Sequence, residues 1–589
     1  MRSQSLSLVL LLLSSAICAS PVPGTPPVEP PVLSSPLPPT ALASPLPSQL
    51  ATYYVRPDGG TPEQCTGLVD APYPGSGTSQ PCAWDHPFRA LPPGGTPRIA
   101  GGDTLVIGSG DYRMGYGAPG ADACDADYPW DCRMPPIPAG LDAAHPTRIL
   151  GVGWDSGCDN APELWGAERA DAVIDLTGAD HVEIGCLEIT DHSGCVEFHT
   201  GGLACERDRY PYGDWAADGI YAEDATDVYL HHLDVHGFAA AGIRAGRLAD
   251  WTVEDVRIAG NGWVGWEGDI GDSANSGTLI FRRWTVEWNG CAETYPGGEP
   301  AGCWSQSAGG YGDGVGTGDT GGNWIIEDSA FLHNTSDGLD LLYLREGTTS
   351  VVIRRTIAEG NAGNQIKVNG PAQIENAIIV GNCGYFDGQP FTYDVDNCRA
   401  YGNALALTLR PGDGASLANN SLASEGDCLV EVICEGDCNG SEVAWMRNNI
   451  FVGHADFLQP SEQSCLVYHE GFPGDPLDID YSVITGTKNT PPCPGPHDLC
   501  GIDPALVDCS IDGFDAHLQA GSPAIDAGTT DGAPLDDFDR RSRDAQPDIG
   551  AYEWWEASAR CYLPFQALAP LATRLSSLFP SCPSSLMPV

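Results

Sequence analysis

Asp313, Asp337, Asp340 and Lys367 are the residues whose types and spacing best suit joint chemistry. Asp337 follows Asp313 by 24 residues, Asp340 follows three later, and Lys367 lies 27 beyond Asp340. In a chain coiled with roughly 20 to 30 residues per turn, these are single-coil steps. Residues on one face are then about 4.8 Å apart from coil to coil. Asp313, Asp337 and Asp340 would converge as oxygen ligands for Ca²⁺, at about 2.3 to 2.6 Å, with waters and carbonyls completing the shell. Lys367 would stand one coil further along the same wall, framed by Gly363 and Gly370. A lysine is a base only where part of it is neutral. Burial lowers its pKa and adjacent aspartates raise it, whereas a bound cation offsets the aspartates. The four residues therefore support removal of a proton from a carbon beside a carboxylate, with the cation stabilising the charge that develops. The plainer alternatives are ordinary turn aspartates and a surface lysine paired with Asp or Glu.

Other residues speak to the ligand. Trp263 and Trp266 fall in a tryptophan-dense stretch and are candidate groove-lining rings for sugar faces, with burial in or between coils as the alternative. Arg345 and Arg354, near the proposed cation segment, are candidates to hold substrate carboxylates bidentately. Asp191, His192 and His199 suggest hydrolysis, but a pair of carboxyls about 6.5 to 9.5 Å apart is not legible around them. Asp536, Asp537 and Asp539 beside Arg540, Arg541 and Arg543 read as an internal ion network. No phosphate-binding loop or dinucleotide fingerprint occurs.

The elements that must position these residues are short and β-rich. Strand-like runs recur at 227–233, 251–258, 278–288, 324–332, 350–357 and 374–380. All but the first end near an asparagine: Asn261, Asn289, Asn334, Asn361 and Asn382. The wide interval before Asn334 is explained by an insertion at about 290–310 that holds Cys291 and Cys303. This period, with no helical stripe, predicts an all-β parallel β-helix whose turn asparagines stack their amides. Residues 50–555 are expected to form one such solenoid including an N-terminal cap, and 556–589 a terminal cap or tail.

Composition sets the environment. With 79 acidic and 28 basic residues, the net charge of −51 argues against a nucleic-acid partner. Arg2, the apolar run Leu6–Leu13 and the small residues after it read as a signal peptide over 1–19. Residues 20–49 read as a Pro-rich extended spacer, and no transmembrane segment is expected. The expectation is a secreted, extracellular monomer, with lipid attachment through Cys18 as the alternative. Of 22 cysteines, close pairs are expected to staple loops: 65/82, 124/132, 195/205, 291/303, 383/398, 493/500 and 561/582. Cys428, Cys434, Cys438 and Cys465 would supply two more bridges, and Cys186 is the expected free thiol.

Two resemblances follow from quoted residues. Tyr53–Gly59, Pro87–Leu91, Gly102–Ile107 and Gly110–Tyr112 look like the opening of exported right-handed β-helix proteins, and Gly521–Gly528 with Asp548–Glu553 like their closing motif. The resemblance implies a right-handed solenoid with disulfide-stapled loops. Segment 313–370 resembles the calcium-dependent, lone-lysine pectate lyases of polysaccharide lyase family nine. That likeness implies Asp313, Asp337 and Asp340 as metal ligands and Lys367 as the base that takes the C5 proton of a uronate. Ser336 stands where the family has an aspartate, and the lysine segment reads Gly-Asn-Gln-Ile-Lys-Val-Asn-Gly. The function expected is a calcium-assisted lyase acting on an acidic polysaccharide. The alternative is a noncatalytic surface or matrix rod that binds glycans, with structural calcium.

Overall fold

Alternation along each strand builds the core. Leu230, Val253, Phe281, Ile326, Ile353, Ile374, Leu417, Met446 and Ile479 are Cα partners on successive coils. All are buried. Side chains of a strand alternate between faces, so this register gives one continuous inward column. Each such side chain stabilises by roughly 1.5 to 3 kcal/mol. The computed structural model describes residues 50–555 except 197–204, 206–210, 269, 271–274, 306–310 and 491. The expected signal peptide and spacer (1–49), Cys18, His199, the expected 561/582 cysteine pair and the expected cap or tail at 556–589 lie outside the described residues.

Strands pair in parallel from Thr52–Gly60 to Leu499–Cys500, apart from short antiparallel pairs. The molecule is all-β, a disulfide-stapled parallel β-helix. A parallel crossover between twisted strands is almost always right-handed. One residue per coil bends the long sheet sharply: His232, Asp255, Arg283, Asp328, Arg355, Asn376, Asn419 and Asn448 all have positive φ. This left-handed corner separates two faces of the coil. The third face is a separate ten-stranded sheet, which runs from Ala170–Asp175 to Cys465–Glu470.

The turn into that third face is held by stacked amides. Asn261 Nδ2 donates to Asn289 Oδ1 at 2.9 Å, Asn289 to Asn334 at 2.9 Å, and Asn334 to Asn361 at 2.8 Å. Gln365 ends the ladder by accepting from Asn361 Nδ2 at 2.8 Å. Asn382 does not join it, contrary to the sequence pattern; Gln365 already takes the terminal donor. Asn334 is fully buried and also donates to Val286 O. Asn334→Ala should strand several of these groups, at roughly 1 to 3 kcal/mol each. Urea denaturation should show a loss of at least ~3 kcal/mol; a loss below ~1 kcal/mol would rule out this role for the ladder.

Six of the close cysteine pairs are bridged as expected, together with Cys428–Cys465 and Cys434–Cys438. Cys186 is not free: it pairs with Cys158, 28 residues away, on the coil before. Cys509 is the unpaired thiol among the described residues. The closing segment runs back along the flank of the stack, where Asn376, Asn419 and Asn448 donate to carbonyls of Asp536, Asp548 and Thr529. Its charges form the expected ion network, with Arg541 on Asp539, Arg543 on Glu553 and Arg540 on Asp328. Among the described residues no helix is long and apolar enough to cross a membrane.

Candidate functional site

The ten-stranded sheet places its apolar residues inward and leaves a polar row outside. Trp266, Val315, Leu339, Ile366, Leu405 and Val430 are successive inward partners, all buried. The next residue of each strand forms the outward row Glu267, Gly316, Asp340, Lys367, Ala406 and Glu431. Asp340 and Lys367 are thus direct Cα partners on adjacent coils.

Asp313 and Asp337 enter from the turns that precede these strands. Asp313 Oδ1 accepts the Asp337 N–H at 3.0 Å, and Asp337 Oδ1 accepts the Asn364 N–H at 2.7 Å. Each carboxylate therefore holds the next turn with one oxygen. Two glycines make room. A Cβ at Gly363 would lie 2.3 Å from Asp337 Oδ1, and one at Gly316 would lie 3.2 Å from Asp313 Oδ2.

Lys367 Nζ lies 2.6 Å from Asp337 Oδ2 and 3.1 Å from Asp340 Oδ2. Carboxylate oxygens of Asp313, Asp337 and Asp340 all lie within 4.8 Å of one another, and all three residues are buried. This is a hard, all-oxygen donor set that fits a divalent cation. The Lys367 ammonium engages two of the same carboxylates. Lys367, Asp313 and Asp340 line a cavity of about 200 Å³ together with Trp263, Tyr343 and Arg399.

Charge and burial compete inside the cluster. Burial favours neutral Lys367, but Asp337, Asp340 and Asp313 outweigh it and hold the pKa above the ordinary lysine value. Burial, then repulsion from Asp337 and Asp340, pushes Asp313 up to about 7. Asp340 is also raised by burial, against the pull of Lys367. Burial alone would raise Asp337 too, yet Lys367 and Arg399 bring it below the usual carboxylate range.

The other sequence candidates divide. Trp263 lines the cavity, but Trp266 is a core residue packed at 6.1, 5.5 and 5.7 Å from Trp251, Phe281 and Trp284. Strand alternation points Trp266 inward, which removes it from any groove. Arg354 belongs to a different sheet and bonds Glu327 and Glu375. Arg345 stacks on Tyr343 while paired with Asp319 and Glu435, so its guanidinium is already engaged. Arg399 is the cation that sequence reasoning missed. It donates to Ser336 Oγ and lies 3.9 Å from Asp313. Its position depends on the Cys383–Cys398 bridge just before it, a long-range placement that no local spacing reveals. The hydroxyl at 336 thus faces a guanidinium.

No family model and no curated protein matches this chain. Among solved structures it is similar to the pectate lyase Pel9A at 15% identity, over 85% of this chain and 96% of that one, with a TM-score of 0.41. An alginate lyase from Paenibacillus sp. str. FPU-7 is 12% identical over 65% of this chain and 94% of its own, with a TM-score of 0.31. A rhamnogalacturonan lyase gives 12%, 73%, 87% and 0.27 respectively. At these values the likeness assigns no role to any residue.

Proposed function

We propose that this chain is an exported, calcium-assisted polysaccharide lyase that cleaves a uronate-containing polymer by β-elimination. The observation that carries this reading is Lys367 set between Asp337 and Asp340 in a cavity that Asp313 and Arg399 also face. Residues 1–19 would direct export and 20–49 would space the solenoid from whatever lies behind it.

Asp313, Asp337 and Asp340 would hold Ca²⁺. When bound, the cation supplies charge neutralisation to these carboxylates and stabilisation to a substrate carboxylate. Lys367, freed from its ion pairs, takes the C5 proton on Nζ. The C–H electron pair becomes the C4–C5 double bond, the C4–O bond breaks, and the leaving oxygen is protonated by water. Arg399 is placed to hold a uronate carboxylate, and Trp263 and Tyr343 offer aromatic faces to the sugar. Incubation with pectate, alginate and glucuronan, with and without Ca²⁺, should produce the ultraviolet absorbance of an unsaturated uronate only where Ca²⁺ is present. Binding without that absorbance favours the second reading, a glycan-binding rod. That rival rests on Lys367 acting as an ion-pair anchor between Asp337 and Asp340.

A further inference from the structure

The inward columns of the solenoid end on an open coil. On the ten-stranded sheet the column through Leu405 and Val430 finishes at Val467, and Cys465–Glu470 is the edge strand. On the long sheet the columns through Ala444 and Met446 finish at Leu477 and Ile479. Among the described residues no further strand pairs with the far side of Cys465–Glu470 or Leu477–Asp480. Val467 and Leu477 are half-buried, whereas Val430 and Ala444 one coil earlier are fully buried.

Instead of another coil, these residues meet a space of about 380 Å³. The loop that begins at Asn489 touches the coil at two points. The Leu466 N–H donates to Asn489 Oδ1 at 2.9 Å, and a Cβ on Gly495 would lie 2.4 Å from Ile479 O. Pro492, Pro494 and Pro496 form a wall of the space and bring no N–H of their own. A terminal coil needs a cover, because its apolar face meets water and its strand edges invite pairing.

The rim selects the cover. Asp475, Asp478 and Asp480 line the space. Asp478 is bonded to Arg447 and Asp480 to His497, while Asp475 is exposed, with no ion pair among the described residues. A second copy would bring the same acids against these, in a chain of net charge −51. The chain's own continuation suits the rim better. Residues 556–589 hold Arg560 and Arg574 against one acid, Glu556, and place Leu571, Leu575 and Leu578 at the spacing of one helical face. The continuation also starts nearby. Tyr552 stacks on His517 at 3.6 Å and shares an apolar cluster with Val483, a residue of the last coil that pairs with Leu499. The described chain ends at Trp555. From there to Leu571 an extended chain spans up to about 50 Å.

We infer that the segment 571–578 covers this end of the solenoid, with its leucines in the space and Arg574 beside Asp475. The inference does not depend on what Lys367 does.

A photo-reactive benzoylphenylalanine in place of Leu575, in the full chain, tests the placement. Irradiation should cross-link it within one chain to residues 466–479 or 492–496. Hydrogen exchange tests the cover. With Leu571→Asp and Leu575→Asp together, amides of Cys465–Glu470 and Leu477–Asp480 should exchange at least tenfold faster. Those of Thr252–Ala259, deep in the stack, should keep wild-type rates. Arg574→Glu should also speed exchange at the last coil, and adding Asp475→Arg should restore protection. Cross-links between two chains would assign this end to a second copy and overturn the inference, as would cross-links elsewhere or none. Unchanged exchange in the double leucine variant overturns it too, and so does failure of Asp475→Arg to restore protection. Should the double leucine variant lose protection throughout, the cross-link and the charge exchange still decide.

Discussion

Lys367→Ala is expected to lower lyase turnover at least ~100-fold, the scale of losing a positioned proton-transfer group. The side chain is nearly buried and its nitrogen contacts two carboxylates, so no neighbouring amine can replace it. The only other lysine, Lys488, lies 2.8 Å from Asp427, and Lys488→Ala should keep wild-type turnover. Lys367→Arg should restore little, because guanidinium stays protonated at any working pH. Calcium affinity separates a lost base from a lost site. The ammonium and Ca²⁺ engage the same oxygens, so the alanine variant should bind calcium at least as tightly as wild type. Retained turnover with normal calcium binding would remove Lys367 from the chemistry and leave it as an ion-pair anchor.

How much of this was legible in the sequence depended on which interactions are local to a coil. The single-coil spacing of Asp340 and Lys367 was readable because parallel register converts sequence distance directly into stacking, and the two are Cα partners. The asparagines at 261, 289, 334 and 361 were readable for the same reason. Trp266 was misread because its face depends on strand parity, and Gly265 and Glu267 beside it give no clear apolar alternation. Arg354 was misplaced because nearness in sequence crosses from one sheet to another within a coil. Arg399 was invisible since it reaches the cluster from a loop 63 residues after Ser336. Cys186 was judged free because it sits inside a strand-like run, while its partner Cys158 lies one coil back, 28 residues away in a loop.

Calcium binding is expected to tighten as pH rises towards about 7, and to release a proton as it does so. Without the cation, Asp313 is pushed up to about 7 by burial and by its two neighbours. An unfolded aspartate titrates near ~3.9. Between those values the folded chain holds the additional proton, so this group makes stability fall as pH rises through the window. A cation needs the ionised carboxylate and therefore displaces that proton. With one proton released, apparent affinity should change by about tenfold per pH unit below the folded pKa, and flatten above it. Asp337 moves the other way: its pKa is depressed, so its ion pair with Lys367 contributes above the unfolded value and is lost only in acid. Titrating calcium between about pH 5 and pH 8 in two buffers of different ionisation heat measures affinity and proton release together. Asp313→Asn should weaken binding and reduce the proton release, because Asp340 is then the one remaining ligand with a raised pKa. Asp340→Asn should weaken binding at least tenfold while circular dichroism keeps its β-sheet signal. A pH-independent affinity, or an Asp340→Asn variant that titrates like wild type, would place the cation elsewhere and leave the three aspartates as the turn ladder and counter-charge of Lys367.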